Sequence, residues 1–369
     1  MPTLKLIEVS KRFGRVKALE GVTFDAKDGE YLCVLGPTGS GKTTLLRLIS
    51  GILRPDEGEI NINERPATTV AVEDRNSVYV PQNYALFPHM NVLENVMYGP
   101  LAKGVPKQDS RETALRLLRM VRLESRVDAL PNQLSGGMQQ RVALARGLAS
   151  GADLLLLDEP LGALDARLRI ELRRELRDLV KESGATVIHV THDQEEAMSV
   201  GDRVLVLRGG RVQQHGTPFH VYASPGNIFA ASFIGSSNFL EGVVTHRDRE
   251  SSTVRLRENL NITVSDTSHE LEEPVIVAIR EEKTEVQPGQ PQSGGAFLLG
   301  EVSAVQFLGS FVRYEVTLDN GDHMAAKTPI GRLKRRLEMG ERVTVVYDPR
   351  KTLVYDYPTL GLRHELEVY

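Results

Sequence analysis

The chain holds a single cysteine among its 369 residues, and no apolar run approaches the roughly 18 residues that a membrane-crossing helix needs. One thiol excludes an intrachain disulfide and leaves a zinc cluster unexpected. That residue, Cys33, lies inside the apolar run "YLCVL" and reads as a small core side chain rather than a reactive thiol. The opening "MPTLKLIEVS" lacks the charged-then-apolar layout of a secretory signal. The expectation is a cytoplasmic chain whose membrane role would come through a partner. Excess basic charge is missing as well: a net charge of -4 and a pI near 6.2 give no global field to attract nucleic acid.

What is present is an ordinary soluble composition, 41% hydrophobic and 25% charged, in a chain long enough for two or three domains with ample cores. Short strand-like runs ("LKLIEV", "VTFDA", "YLCVL") alternate with turn residues up to residue 35, and "YLCVL" is continuous, as in a strand buried on both faces. A helix is predicted over 42–50, stopped by Gly51. Between about residues 84 and 149 the β signal fades, and "SRETALRLLRMVRL" predicts an amphipathic helix opened by Ser110. Strands return with "DLLLLD", "TVIHVTH" and "RVLVLRGGRV", separated by a charged helix from Asp165 to Ser183. That helix is expected to bury Leu168, Leu172, Leu176 and Leu179 and to pair its arginines with its own Glu171, Glu175 and Asp178. Alternating strands and helices predict an α/β fold on a mostly parallel sheet covered on both faces. From about residue 236 onward, short closely spaced runs predict a separate all-β domain of small barrels, with "QPGQPQSGG" as a loop inside it.

Five stretches carry chemistry. "GPTGSGKTT", residues 36–44, fits the phosphate-loop pattern with Gly36, Gly41, Lys42 and Thr43 in the required places, after a buried strand and at the start of a helix. Its glycines let the backbone curl around phosphate oxygens, Lys42 would neutralise them, and Thr43 would offer a hydroxyl to Mg²⁺. "LLLLDEP" ends an apolar strand in Asp158, placed to hold Mg²⁺, and Glu159, placed to act as general base on a water. His192 in "VIHVTHDQEEA" and Gln82 in "VYVPQNYALFP" follow apolar strands but are ambiguous alone, and His189, two residues ahead of Thr191, is expected to be structural. "LSGGMQQR", residues 134–141, offers backbone amides at a helix start, a place where an anion binds, yet has no lysine.

Taken in this order, the motifs resemble the ATP-binding subunits of ATP-binding cassette (ABC) transporters over about residues 4–235. The resemblance implies a P-loop nucleotide-binding domain at 1–235 with a helical subdomain at about 84–149, binding ATP and Mg²⁺. It implies that "LSGGMQQR" is the loop that binds the γ-phosphate of ATP held by a second subunit, so that two ATPs are clamped in a head-to-tail homodimer. Lys42 of the opposite chain then supplies the missing lysine. By the same resemblance Phe13 stacks on adenine, and the residues that hold nucleotide are Gly36, Pro37, Thr38, Gly39, Ser40, Gly41, Lys42, Thr43, Thr44, Leu134, Ser135, Gly136, Gly137, Gln139 and Asp165. Glu159, His192 and Gln82 are the catalytic set, with Thr43, Gln82 and Asp158 at the metal. Gly162 stands where serine is common and Thr38 where serine is frequent.

The tail at 236–369 is similar to the oligonucleotide-fold-like accessory domain of importer ATPases for sugars, polyamines, ferric iron and oxyanions, through "SNFLEG", "IREEKTEV" and "FLGSFVRYEVTLDNG". In that family it strengthens dimerisation. "GMQQRVALARGLA" and "FLGSFVRYEV" look more like the polyamine, ferric iron and phosphonate importers than the sugar group. "YALFPHMNV" resembles the surface where a membrane permease docks, near residues 84–89 with Phe87 as an apolar contact, and a solute-binding protein is implied indirectly. The place implied is the cytoplasmic face of the membrane, without nucleic acid. The competing class, a soluble ABC ATPase acting on nucleic acid or the ribosome, usually carries long coiled-coil arms or two cassettes, and neither pattern is in this sequence.

Overall fold

The computed structural model describes residues 2–162, 164–289, 296–333 and 335–367; the greater part of the loop "QPGQPQSGG" lies outside them. The chain divides into two compact units between Val221 and Tyr222. In the first, β1 (Pro2–Phe13) and β2 (Val16–Lys27) form an antiparallel sheet with β4 (Glu57–Ile62) and β5 (Arg65–Pro66), in the order β2-β1-β4-β5. A second sheet contains β3 (Tyr31–Leu35), β6 (Ser77–Val80), β7 (Leu154–Asp158), β8 (Thr186–Thr191), β9 (Arg203–Arg208) and β10 (Arg211–Gly216), in the order β10-β9-β3-β8-β7-β6. Neighbours from β9 to β6 are parallel, and β10 returns antiparallel to β9. Every residue of β3, β7 and β8 is buried, which is why these strands read as continuous rather than alternating runs. Cys33 is buried here, and burial pushes its thiol well above the ordinary value.

Helix α1 (Lys42–Ser50) follows β3 directly and ends at Gly51, whose φ of 86° is a left-handed cap. Helices α2 (Val92–Ala102), α3 (Lys107–Met120) and α4 (Gly136–Ala149) form a layer with its own core of Val92, Val96, Leu117, Leu118, Val142 and Ala145. The start of α3 differs from the expectation. Pro106, with its ring-fixed φ, stands at the cap, and Ser110 lies buried inside the first turns with its hydroxyl donating back to Val105 O at 3.3 Å.

Helix α5 (Ala166–Ser183) also departs from its expected pattern. Leu172, Leu176 and Val180 are buried with Arg173, whereas Leu168 and Leu179 are half-buried. The arginines that matter reach outward: Arg169 and Arg173 both donate to Asp193 Oδ2, at 3.2 and 2.8 Å, and Arg177 donates to Asp202 Oδ1 at 2.8 Å. The expected pairs along the helix, such as Arg174 with Asp178 at 3.9 Å, are long and exposed. A buried guanidinium needs a carboxylate, and only residues beyond the helix supply one there.

The second unit is all-β apart from short helices. One five-stranded antiparallel sheet has the order β13 (Asn261–Val264), β12 (Ser252–Arg255), β11 (Ser237–Arg247), β14 (Pro274–Arg280), β20 (Leu353–Asp356). The other has the order β15 (Thr284–Pro288), β19 (Arg342–Tyr347), β16 (Ala296–Phe307), β17 (Phe311–Leu318), β18 (His323–Pro329). Side chains from both sheets, among them Leu240, Val277, Ile279, Leu298, Tyr314 and Val345, meet in one shared core. The short segment ahead of β11 belongs to this unit, because buried Arg280 donates to the carbonyls of Tyr222 at 2.8 Å, Ala231 at 2.7 Å and Ile234. This places the division ahead of the 235/236 boundary expected from the sequence.

Asn238 on β11 clips the two sheets together: its Oδ1 accepts from Ala325 N at 2.6 Å and its Nδ2 donates to Ala325 O at 2.8 Å. Asn238→Ala strands both buried backbone groups of Ala325, and is expected to lower stability of this unit by about 2 kcal/mol in denaturant titrations of the full chain.

Candidate active site

The carboxyl ends of β3, β6, β7 and β8 lie side by side, so the loops leaving them share one edge of the sheet. Each loop delivers one polar group that the sequence singles out. After β3 comes the loop 36–41. Gly41 has φ 101°, a left-handed conformation, and a Cβ there would stand 2.4 Å from Ala18 O; at Gly36 a Cβ would stand 2.2 Å from Leu207 O. Glycine is therefore required at both ends. Lys42 opens α1 with its ammonium turned into the loop, donating to Gly36 O and Pro37 O at 2.8 Å each. Burial pushes the ammonium below its ordinary value, with Glu159 and Asp158 countering. The Ser40 hydroxyl is fully buried and has no protein partner among the described residues. An ammonium resting on carbonyls and an orphaned hydroxyl in a closely packed loop form a cradle suited to phosphate oxygens.

Asp158 closes β7 at 2% exposure, accepting from Thr43 Oγ1 at 3.2 Å through Oδ1 and from Tyr79 OH at 2.9 Å through Oδ2. Burial raises its carboxyl above the ordinary value, against the two hydrogen bonds, and the adjacent Glu159 adds to the rise. Burial and the same carboxylate push the Tyr79 phenol up to about 12. Glu159 itself has φ 50°, rare for a residue with a Cβ, and its N–H is anchored on Val190 O at 2.9 Å. This turn sends its carboxylate between Gln82 and His192: Gln82 Nε2 donates to Oε2 at 3.0 Å, and His192 Nδ1 lies 3.0 Å from Oε1.

Sequence reasoning missed Tyr79 and Gln140. Tyr79 shares a strand with Val80 and looks like any half-buried aromatic until the register of β6 on β7 brings its hydroxyl to Asp158. Gln140, in the middle of "LSGGMQQR", donates to Glu159 O at 2.9 Å and so ties α4 to the carboxylate turn. Nothing in the sequence marks it; only the fold shows its side chain buried, at 4% exposure.

The other expected residues lie elsewhere. Phe13 ends β1 with 47% of its surface exposed and the Lys11 ammonium 5.7 Å from its ring centroid. Thr44 continues the first turn of α1. Ser135 caps α4, accepting from Met138 N at 3.4 Å, and Gly136 and Gly137 form the first turn. Gln139 folds back on Pro131 O at 2.9 Å and Leu134 O at 3.3 Å. Asp165 caps α5 through Leu168 N at 2.9 Å. The partners of residues 134–139 thus lie within their own segment, whereas Lys42, Thr43, Gln82, Asp158, Glu159 and His192 converge. Thr38 and Gly39 complete the loop ahead of Ser40.

Residues 84–91 form a braced loop. Tyr84 and Ala85 both have positive φ, 65° and 44°, and Arg146 donates to Tyr84 O at 3.2 Å while its guanidinium lies 4.9 Å over the Phe87 ring. Buried Asn95 holds the same loop through Phe87 O, Met90 O and Asn91 O.

The Asp158 environment generates a prediction. A carboxyl whose folded value is raised contributes stability below its ordinary value that is lost as pH rises through the raised one. Asp158→Asn removes that titration: its thermal midpoint is expected to fall less than the parent's as pH is raised from acid to neutral.

Comparison with known proteins supplies the family. The ABC transporter family model matches residues 19–162 and the TOBE domain model matches 277–354. The chain is 40% identical to the spermidine/putrescine import ATP-binding protein PotA of Rubrobacter xylanophilus, over 95% of this chain and 93% of that one. It is 41% identical to PotA of Nostoc sp., over 88% and 86%. Among solved structures it is similar to the dimeric post-hydrolysis state of the ATP-binding cassette MJ0796 bound to ADP and Pi, with 35% identity and a TM-score of 0.54 over 58% of this chain and 98% of that one. With the P-loop α/β unit and the all-β unit both accounted for, the chain belongs to the ABC transporter family as one of its ATP-hydrolysing subunits.

Proposed function

We propose that the chain is the motor of an importer: a homodimer that hydrolyses two ATPs at its interface, on the cytoplasmic face of the membrane, and drives separate permease subunits. The observation that carries this reading is the Glu159 carboxylate, held at 3.0 Å by both Gln82 and His192 at the mouth of the phosphate loop. Lys42 and the loop amides of residues 36–44 bind the triphosphate, and Phe13 offers its exposed face to the adenine. Glu159 takes the proton from the attacking water, with Gln82 orienting that water and His192 holding the carboxylate in place and facing the γ-phosphate. The donors Thr43, Asp158 and Gln82 are a hydroxyl, a carboxylate and an amide oxygen, a hard oxygen set that fits Mg²⁺. The ion supplies charge neutralisation at the β and γ phosphates.

Ser135, Gly136 and Gly137 present the start of α4 to the ATP of the partner subunit, flanked by Leu134 and Gln139, and Asp165, in "GALD", belongs to a loop that crosses the dimer interface. The same reading explains why these residues keep their hydrogen bonds to themselves and have no lysine. The braced loop at residues 84–89 is the permease docking surface, with Tyr84 and Phe87 held from below by Arg146 and Asn95. Relatives named for spermidine and putrescine import favour a polyamine as the solute, delivered by a solute-binding protein.

The test is ATP hydrolysis by the purified chain beside Glu159→Gln and Ser135→Arg. Loss of the general base is expected to cut turnover by about 10²–10⁴-fold and to leave an ATP-bound dimer. Ser135→Arg is expected to abolish turnover although it lies away from the phosphate loop. Full activity in either variant contradicts the reading.

A further inference from the structure

We infer that a buried chain of polar contacts from Tyr31 through His189 and Glu196 to Thr191, hydrogen-bonded at its Thr191 end to Glu196 and Asp193 N, positions His192, so that Glu196 and Thr191 are positioning residues for hydrolysis. The inference rests on the role given to His192 above. His192 follows β8 directly, and its own side chain is 59% exposed, so packing does not fix it. What is fixed is the backbone on either side. Asp193 N donates to Thr191 Oγ1 at 3.0 Å, which leaves the hydroxyl proton for Glu196 Oε2 at 2.6 Å. The other oxygen of Glu196 stands 3.3 Å from His189 Nε2, and Tyr31 OH lies 2.9 Å from His189 Nδ1. Glu196 N in turn donates to Asp193 Oδ1 at 2.9 Å, while Arg169 and Arg173 hold Asp193 Oδ2. Thr191 and Asp193 are thus held by Glu196 and by the two α5 arginines, and the residue between them is His192.

This chain is costly. Tyr31 on β3 and His189 on β8 are fully buried, and Glu196, in the helical turn that follows β8, is 3% exposed. Burial pushes Glu196 up, but His189, Thr191 and Arg173 outweigh it and hold the carboxyl below its ordinary value. Apolar side chains of similar volume would fill the same space at no loss of stability. A polar chain aimed at the backbone of one exposed histidine is explained by the precision that histidine needs: His192 Nδ1 must stay at 3.0 Å from Glu159 Oε1.

Thr191→Val keeps the shape of the side chain and removes the one hydroxyl that joins Glu196 to Asp193 N. In steady-state ATP hydrolysis it is expected to lower kcat by about tenfold with KM for ATP within about twofold, and Thr191→Ser is expected to restore the rate. In a His192→Ala background the same substitution is expected to cause no further loss of the residual rate, because its effect passes through His192. A folded Thr191→Val protein with parental kcat overturns the inference, as does an equal fold-loss in the His192→Ala background. Should Thr191→Val fail to fold, Thr191→Ala, which removes the same hydroxyl, decides: a fall in kcat of about tenfold is expected, and parental kcat overturns the inference. Parental activity in His192→Ala alone is a separate result that removes the role of His192 itself.

Discussion

As the proposed general base, Glu159 needs a carboxylate free of any permanent cation yet in a single orientation, and two groups from other strand ends meet that need, Gln82 Nε2 and His192 Nδ1, each at 3.0 Å. A salt bridge there would lock the group as an anion with its lone pairs occupied, which a general base cannot afford. Two neighbours on different loops can hold the group and still let it go. The parallel order of β3, β8, β7 and β6 follows from the same need, because only parallel neighbours place the loops after all four strands on one edge.

The constraint propagates into the backbone. Glu159 adopts φ 50°, and its N–H bond to Val190 O ties the turn to the strand that also bears His192. Gln140 holds the carbonyl of the same residue from α4, so the helix whose start is Ser135 is joined to the Glu159 turn. Gln82 lies two residues ahead of Tyr84, in a loop fastened by Arg146 and Asn95. One carboxylate is therefore in contact, directly or through two residues, with the segments proposed to face the partner ATP and the permease. Movement at either segment has a short mechanical route to the base.

The phosphate loop was legible because glycine spacing, a preceding apolar strand and Lys42 leave few alternatives, and the backbone clashes at Gly36 and Gly41 show why. Asp158 and Glu159 were legible from their position after "LLLL". Gln82 and His192 were not legible from their own residues, since a strand-end glutamine or histidine is usually surface; only the family order raised them. Tyr79 and Gln140 were invisible, because strand register and helix phase decide what a half-buried tyrosine or a mid-helix glutamine reaches. The arginines of α5 misled through local spacing: charges at i and i+4 predict pairs along a helix, but burial drew Arg173 to Asp193 across a gap of twenty residues. His189 reads as structural in the sequence and is buried in the fold, yet the chain it belongs to ends at the backbone beside His192.

The central claim is that each ATP is bound by the phosphate loop of one chain and the "LSGGMQQR" segment of another. Cys33 is fully buried, so a Ser135→Cys chain carries one accessible thiol, and its alkylation rate in the Glu159→Gln background reports on that segment alone. The account predicts that ATP protects the introduced thiol, more so as protein concentration rises, and that Lys42→Ala abolishes the protection. An alkylation rate unchanged by saturating ATP, in a protein shown to bind it, would contradict the account.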